Sequence, residues 1–240
     1  MSSHRGENLV NSVEYWNGNA RWYKLWVDHN NYHGNILENL RSIAKPGWRV
    51  LDIGGGGGVL AIPLMLNQCQ VNVLEPSSAM RDILSEEIIK AGRPRTITVD
   101  TRRWEDVNPS EFCDYDLILA CNSLHLVRSG FREAIKKIFS AGTPHIFIVT
   151  EQPLNGLQCY GELNDYQLIS SAVQEQESSF VYHCLDEAIE HWSFRYGTGP
   201  TDTEKQDLFS KLTEEEGHFR LKGKAKVHSY YWRRAETDRQ

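Results

Sequence analysis

The chain has 240 residues, a length that fits one domain with an elaboration or one large and one small unit. Its 40% hydrophobic residues are enough for a core, and its 24% charged residues are ordinary for a soluble protein. The formal net charge of −6 indicates no broad basic surface, so we expect no nucleic-acid partner. No run of about 18 apolar residues occurs, so we expect no membrane span.

The cysteines and the first residues indicate a cytoplasmic protein. Residues 1–11 are polar and lack the apolar core of a signal peptide. The five cysteines are scattered, odd in number and form no Cys-x-x-Cys pair, so we expect reduced thiols: Cys69, Cys113, Cys121, Cys159 and Cys184. The sequence leaves the oligomeric state open.

Residues 12–44 have the pattern of helices. Trp22, Trp26, His29 and His33 follow one another at steps of four, three and four, so they share one helix face. A second apolar stripe follows and ends at Pro46-Gly47. We predict that residues 1–44 form an N-terminal helical cap.

Strands and helices alternate through the next segment, residues 45–155. Short apolar runs predict five strands, and the segments between them predict amphipathic helices. This alternation is typical of β-α-β units, which give a parallel sheet with helices on both faces. The predicted strands are 49–53, 70–74, 96–99, 115–120 and 145–150, and the predicted helices are 59–67, 78–92 and 131–141.

The pattern changes in residues 156–240. Residues 165–177 and 185–196 read as two helices with polar faces. Thr201 and Glu204 have the spacing of a capping box, which predicts a helix from there to about Glu216, ended by Gly217. Residues 218–221 and 226–232 alternate like strands and predict a hairpin at one edge of the sheet. We expect this segment to complete the same domain.

A run of five glycines follows the first predicted strand. A phosphate-binding loop needs Gly-Lys-Ser/Thr at its end, and here Val59 follows Gly58, so that motif fails. The dinucleotide motif G-x-G-x-x-G/A is met loosely by Gly56, Gly58 and Ala61. A third pattern, Asp-x-Gly-x-Gly-x-Gly, is met in full by Asp52, Gly54, Gly56 and Gly58.

This third pattern resembles the first motif of the class I S-adenosylmethionine-dependent methyltransferases. Three later segments resemble further motifs of that family in the expected order: residues 71–80, 104–107 and 115–125. The resemblance covers about residues 45–152. It implies a Rossmann-like, three-layer αβα sandwich, with a mostly parallel seven-stranded sheet, a last strand pair that is antiparallel and an N-terminal helical extension. It also implies S-adenosylmethionine as cofactor and S-adenosylhomocysteine as product.

The resemblance places cofactor-binding residues on this chain. Glu75, 17 residues after Gly58, is expected to bind the ribose hydroxyls, a role that an NAD site would share. Asp52 is expected near the methionine part. Many family members carry an aspartate where Arg103 stands, so the contact to the adenine amino group is open. The full expected set is Asp52, Gly54, Gly56, Gly58, Glu75, Pro76, Trp104, Glu105, Cys121 and Asn122.

The chemistry implied is methyl transfer by in-line displacement. His125 follows the fourth predicted strand at the carboxyl edge of the sheet, so it is the candidate general base or substrate-orienting residue, with a purely structural role as the alternative. Cys121 reads as a packing residue beside the cofactor. Trp104 has two readings, against the adenine or in the core.

A small-molecule acceptor is expected, because the turn after the fourth strand lacks the Asp/Asn-Pro-Pro-aromatic motif of amino-methylating nucleic-acid enzymes. Aromatic residues nominate an acceptor pocket or, alternatively, simple packing: Trp16, Trp22, Tyr23, Trp26 and Tyr160. His29 and His33 have no further ligand pattern around them, so no metal is expected. Two other functions stay open, a non-catalytic cofactor-binding subunit and, less favoured, an NAD-dependent oxidoreductase.

Overall fold

The computed structural model describes residues 12–92, 97–154, 163 and 165–235. The helices are α1 (Val13–His29), α2 (Gly34–Ile43), α3 (Ala61–Leu66), α4 (Ser78–Lys90), α5 (Phe131–Ser140), α6 (Leu185–Tyr196) and α7 (Asp202–Lys211). The strands are β1 (Arg49–Ile53), β2 (Gln70–Leu74), β3 (Ile97–Asp100), β4 (Leu117–Cys121), β5 (His145–Thr150), β6 (Tyr166–Glu177), β7 (Phe180–Tyr182), β8 (Leu212–Glu215), β9 (His218–Leu221) and β10 (Lys224–Arg234).

The chain divides into two compact units. The core unit comprises His33–Gln174 and Val227–Gln240, and the accessory unit comprises Met1–Tyr32 and Glu175–Lys226. Both units therefore combine segments that are distant in the sequence. The prediction of domains at residues 1–44, 45–155 and 156–240 follows chain order instead, and as a statement about domains it stays a prediction.

A seven-stranded sheet runs through the core unit in the order β3-β2-β1-β4-β5-β10-β6. The pairs β1–β2, β2–β3, β1–β4 and β4–β5 are parallel. Strand β10 is antiparallel to β5, with His228 opposite Thr150 and Arg233 opposite His145. The predicted fold class, a mostly parallel sheet with an antiparallel end and flanking helices, is confirmed.

The central strand β4 is apolar because both faces of the sheet are covered. In β4, Leu117, Ile118, Leu119 and Ala120 are each 0% exposed, as expected for a parallel strand between two helix layers. Helix α5 packs one face into the same core through four buried residues: Ala134, Ile135, Ile138 and Phe139. This packing fixes the carboxyl ends of β1, β2, β4 and β5 at one edge.

The accessory unit contains a three-stranded sheet in the order β7-β9-β8, with both pairs antiparallel. Its core consists of Trp22, Tyr182, Ala188 and Leu208. Helix α7 begins with the predicted capping box, in which Glu204 N–H donates to Thr201 Oγ1 (3.4 Å) and Thr201 N–H donates to Glu204 Oε2 (2.8 Å). This prediction of a helix start is confirmed.

Three predictions for the second half of the chain are wrong. Residues 165–177 were predicted to be a helix, but Tyr166–Glu177 is strand β6. Its Glu and Gln residues favour helices locally, and the place next to β10 in the sheet overrides that preference.

The predicted helix to Glu216 ends at Lys211, and the predicted hairpin of residues 218–221 with 226–232 does not form. Glu216 (φ +51°) and Gly217 (φ +78°) instead make a tight turn between β8 and β9. Positive φ at both central residues is the signature of the turn that suits a hairpin. The glycine that seemed to end a helix therefore closes a hairpin.

Replacing Ile118 by alanine tests the central strand. Ile118 is 0% exposed, so Ile118→Ala is expected to lower the free energy of unfolding by about 2–5 kcal/mol through lost burial and a residual cavity. The matched control is Ile89→Ala, at a side chain that is 70% exposed on α4, with a change within about 0.5 kcal/mol. Urea unfolding of both variants measures this. Equal effects at the two positions would contradict the assigned core.

Candidate active site

The glycine loop connects β1 to α3, and its glycines are required by close packing. A Cβ on Gly55 would lie 2.8 Å from Asp52 Oδ2 and 2.8 Å from Val73 Cγ1, which is closer than real Cβ atoms approach. Gly58 has φ +84°, and a Cβ there would collide with the Leu84 side chain. The loop backbone therefore lies directly on β2 and α4. The Gly54 N–H donates to the Leu74 carbonyl oxygen (2.7 Å), and the Gly58 N–H donates to the Gly55 carbonyl oxygen (2.9 Å).

Asp52 is buried beneath this loop. Its side chain is 2% exposed, and among the described residues its Oδ2 has no hydrogen-bond partner. Burial, together with the nearby Glu75 carboxylate, raises the pKa of Asp52 to about 7. A buried carboxylate oxygen without a protein partner is costly unless a ligand or water meets it, so this atom is a candidate ligand contact.

Glu75 connects three segments of the site. Its Oε2 accepts the Gly56 N–H (2.9 Å), and its Oε1 accepts the Ser77 N–H (2.8 Å). Burial raises the pKa of Glu75, against the opposite effect of these two bonds and of Arg81. Arg81 also donates to the carbonyls of Glu75 (2.9 Å) and Pro76 (2.7 Å). The carboxylate is thus held by the backbone, and each oxygen keeps a second lone pair for a ligand.

The turn after β4 lies against the start of the glycine loop. The Ser123 hydroxyl donates to the Ile53 carbonyl oxygen (2.5 Å), and the Asn122 N–H donates to the Val149 carbonyl oxygen (2.9 Å). Asn122 has φ +50°, a left-handed conformation that turns the chain sharply after the strand. Cys121 and Asn122 therefore share one edge of the sheet with Asp52.

Cys121 is not poised as a nucleophile. Burial raises the pKa of its thiol, and the carboxylates of Asp52 and Glu151 act in the same direction. A protonated thiol is a weak nucleophile, since the thiolate is the reactive form. This agrees with the interpretation of Cys121 as a packing residue.

His125 lies in a short 3₁₀ helix, Leu124–Leu126, and its side chain is exposed. Protein atoms crowd part of its ring and lower the pKa of the imidazole by removing water, while the nearby Glu151 acts in the opposite direction. A neutral imidazole at neutral pH can accept a proton.

Two residues that the sequence analysis missed belong to this edge. Ser123 joins the turn to β1, and Glu151 acts electrostatically on both Cys121 and His125. Glu151 directly follows β5, so the rule that selected Glu75, an acid just after a strand, would have found it. The Ser123 bond has no such signal in the sequence.

Trp104 is a core residue. It is 3% exposed, and its indole N–H donates to the Ala134 carbonyl oxygen (3.1 Å). Lys137 donates to the carbonyls of Trp104 (2.7 Å) and Glu105 (2.9 Å). The Glu105 carboxylate accepts the Arg128 N–H (3.0 Å). These contacts favour packing for Trp104, and its assignment to the cofactor, like that of Glu105, stays a prediction.

The N-terminal aromatic residues lie in the accessory unit. Trp22 is 3% exposed and stacks on His191, with ring centroids 4.6 Å apart. The Trp26 indole N–H donates to Ser178 Oγ (3.1 Å). Trp16 meets Tyr23 edge-on at 6.2 Å. Trp22 is thus part of a core, and an acceptor-binding role for the set stays a prediction. Tyr160 lies outside the described residues.

Neither a metal site nor a membrane span is found in the part of the chain that the structure describes. No group of three or more His, Cys, Asp or Glu side chains there could hold a metal ion. No helix there has the length and hydrophobicity needed to cross a bilayer.

Comparison with known proteins finds a methyltransferase domain model and many solved structures with a similar fold. Residues 51–145 match the model of a methyltransferase domain family. No curated protein matches the sequence. Many solved structures share the fold. One is a magnesium protoporphyrin IX methyltransferase from Synechocystis with bound S-adenosylmethionine, at 14% identity and a TM-score of 0.55, covering 96% of this chain and 99% of that one.

Two other similar structures differ in the acceptors that their descriptions give. A candidate RNA methyltransferase from Pyrococcus horikoshii has 13% identity and a TM-score of 0.56, with 88% and 89% of the two chains covered. A candidate sarcosine dimethylglycine methyltransferase from Galdieria sulphuraria has 14% identity and a TM-score of 0.54, with 84% and 86% covered. At this identity the likeness shows the fold alone. Residues 51–145 match a methyltransferase domain family, and they contain the Asp52, glycine-loop and Glu75 motifs.

Proposed function

We propose that this methyltransferase transfers a methyl group from S-adenosylmethionine to a small-molecule acceptor by in-line displacement. The observation that carries the proposal is the edge formed by Asp52, the glycine loop and Glu75. There, a buried Asp52 oxygen lacks a hydrogen-bond partner among the described residues, beside a loop in which a Cβ on Gly55 or Gly58 would clash with neighbouring side chains.

These residues fit the cofactor by their chemistry. Glu75 has lone pairs to accept from a ribose diol, and charge-assisted bonds of this kind are about twice as strong as neutral ones. Asp52 and the loop from Gly54 to Gly58 would hold the amino-acid part, which carries an ammonium group. Pro76, Cys121 and Asn122 would line the rest of the site.

The bound cofactor supplies a methyl group on a positively charged sulfur. The protein then has to hold an acceptor in line with that methyl group and keep water out, and such positioning supplies several kcal/mol of the barrier. His125 accepts the proton that a hydroxyl or a similar acceptor loses, at its exposed imidazole. The Glu151 carboxylate favours the imidazolium that results, since it acts to raise the pKa of His125.

Two observations support a small acceptor over a nucleic acid. The net charge is −6, and the turn after β4 reads Cys121-Asn122-Ser123-Leu124 in place of a proline-rich motif. The Pyrococcus structure, described as a candidate RNA methyltransferase, makes RNA the competing acceptor to test.

A screen of acceptor classes by release of S-adenosylhomocysteine tests the proposal. Pools of hydroxyl, amine, carboxylate and thiol compounds are compared with total RNA. We expect turnover with one of the small-molecule pools and none with RNA. Turnover with RNA alone contradicts the acceptor class, and the absence of turnover in every pool with intact cofactor binding supports a non-catalytic, cofactor-binding subunit instead.

The ribose role of Glu75 is tested by Glu75→Ala. Loss of a charged acceptor is expected to weaken S-adenosylmethionine binding by about 1.5–3 kcal/mol, roughly 10- to 150-fold in Kd. Glu86→Ala, at an exposed position of α4, is the matched control and should bind as the wild type does. Titration calorimetry measures both. An unchanged affinity in folded Glu75→Ala protein would remove Glu75 from the site.

Asp52→Asn is expected to change the stability of the ligand-free protein and its affinity for S-adenosylmethionine in opposite directions. Because the folded pKa of about 7 lies above the ordinary aspartate pKa of 3.8, the folded protein binds more protons between these values, and its stability falls as pH rises through that window. Removing the charge should therefore stabilise the ligand-free protein by up to about 4 kcal/mol above pH 7 and by little at pH 4. Cofactor affinity should fall about tenfold.

Thermal unfolding across pH 4 to 8 measures the stability difference, with Asp82→Asn on the exposed face of α4 as control. A difference between Asp52→Asn and the wild type that does not grow with pH would show that Asp52 is not a destabilised buried acid.

His125→Ala tests proton transfer. With the acceptor found in the screen, turnover is expected to fall by about 100-fold or more, the usual range for general base catalysis, while cofactor affinity stays within about twofold. Initial rates of S-adenosylhomocysteine release measure the loss. Equal rates in variant and wild type would leave His125 a structural residue.

A further inference from the structure

Strand β6 forms one edge of the seven-stranded sheet. It is 12 residues long, and among the described strands only β10 lies beside it. The Ala235 N–H donates to the Asp165 carbonyl oxygen (2.7 Å), so the end of β10 lies beside the start of β6. The opposite edge of β6 presents the row of backbone N–H and C=O groups that templates pairing with another strand.

The usual protection of an edge strand is missing from residues 166–174 of β6. Edge strands are normally guarded by lysine, proline or inward charges, and residues 166–174 contain no charged residue and no proline. Leu168 is 47%, Ile169 43% and Val173 54% exposed. These are three of the seven large hydrophobic side chains exposed in the described residues, gathered within six positions.

The sequence of β6 complements itself. In an antiparallel pair related by a two-fold axis normal to the sheet, opposite residues share a face, so their numbers in identical strands differ by an even number. With the axis at Ser171, Ile169 lies opposite Val173 of the second copy, twice by symmetry. Ser170 lies opposite Ala172, and no two charges within residues 166–174 face each other.

Neighbouring registers are poorer. An axis at Ser170 places Ile169 opposite Ser171 and Val173 opposite Gln167. An axis at Ala172 places Ile169 opposite Glu175. Cross-strand pairs of β-branched residues stabilise a sheet. The register with its axis at Ser171 forms two such pairs, each between Ile169 of one copy and Val173 of the other.

We propose that β6 is a homodimerisation edge, at which two copies of the chain pair antiparallel through residues 168–174 about a two-fold axis at Ser171. The pairing joins two seven-stranded sheets into one. A single strand pair buries less surface than the roughly 1,200 Å² typical of stable complexes, so the dimer should dissociate on dilution in the micromolar range. The inference is independent of the proposed function.

Sedimentation velocity of the full chain from about 1 to 200 µM tests the proposal, with Ile169→Lys and Val173→Lys as disrupting variants. Both side chains are exposed, so both variants should fold. Val99→Lys is the matched control, because Val99 is 41% exposed on β3 at the other edge of the same sheet. We expect concentration-dependent dimers for the wild type and Val99→Lys, and monomers for the other two.

Cross-linking tests the register. In a background with the exposed Cys113 and Cys184 changed to serine, Ser171→Cys places two thiols directly opposite each other, at the Cα separation that a disulfide needs. Oxidation should give a covalent dimer, and Ser170→Cys should cross-link more slowly because its opposite residue is Ala172.

A wild type that is monomeric at every concentration overturns the proposal, as does a dimer that survives Ile169→Lys and Val173→Lys. A dimer that these two variants break, but in which Ser170→Cys cross-links faster than Ser171→Cys, overturns the Ser171 register.

Discussion

The candidate site depends on the hydrogen bonds that the buried Glu75 carboxylate accepts from two backbone N–H groups. By accepting the N–H groups of Gly56 and Ser77, it ties the glycine loop to the end of β2 and to the start of α4. Ser77 in turn caps α4, since its hydroxyl accepts the Met80 N–H (3.3 Å). One buried carboxylate thereby positions both the loop and the start of a helix.

Burying the two acidic side chains of Asp52 and Glu75 close together destabilises the folded protein, because both carboxylates lose water and they repel each other. Desolvation raises the pKa of both Asp52 and Glu75, and each lies at the end of a parallel strand, where the apolar core gives way to the loops. A fold selected for stability alone would carry neutral groups there. The pair is therefore best explained by a polar ligand that meets these oxygens, as perturbed acids at an open sheet edge generally indicate.

The parts of the fold that sequence alone predicts are those with local causes. The five parallel strands are rich in buried apolar residues because both faces of the sheet are covered, and α7 begins at the predicted capping box. Asp52 and Glu75 were predicted from the resemblance of the motifs around them to a known family, and their roles stay predictions. The spacing of acid and glycines is consistent with the close packing of the loop against β2 and α4.

Most features that the sequence analysis predicted wrongly or did not predict depend on residues far away in the chain. Residues 166–177 are rich in helix-favouring Gln and Glu, but β10, more than 45 residues later in the chain, pairs with them as a strand. The turn at Glu216-Gly217 looked like a helix end because a glycine with positive φ serves both purposes. The hydrogen bond from the Ser123 hydroxyl to the Ile53 carbonyl oxygen joins residues 70 positions apart, and no local sequence pattern predicts it.

The central claim is that this edge of the sheet binds S-adenosylmethionine. Titration calorimetry of the wild-type chain with S-adenosylmethionine, S-adenosylhomocysteine and NAD at pH 7 tests it most directly. The account predicts saturable binding of the first two at one site per chain, in competition with each other, and no heat with NAD. Binding of NAD without binding of either S-adenosylmethionine or S-adenosylhomocysteine would contradict it.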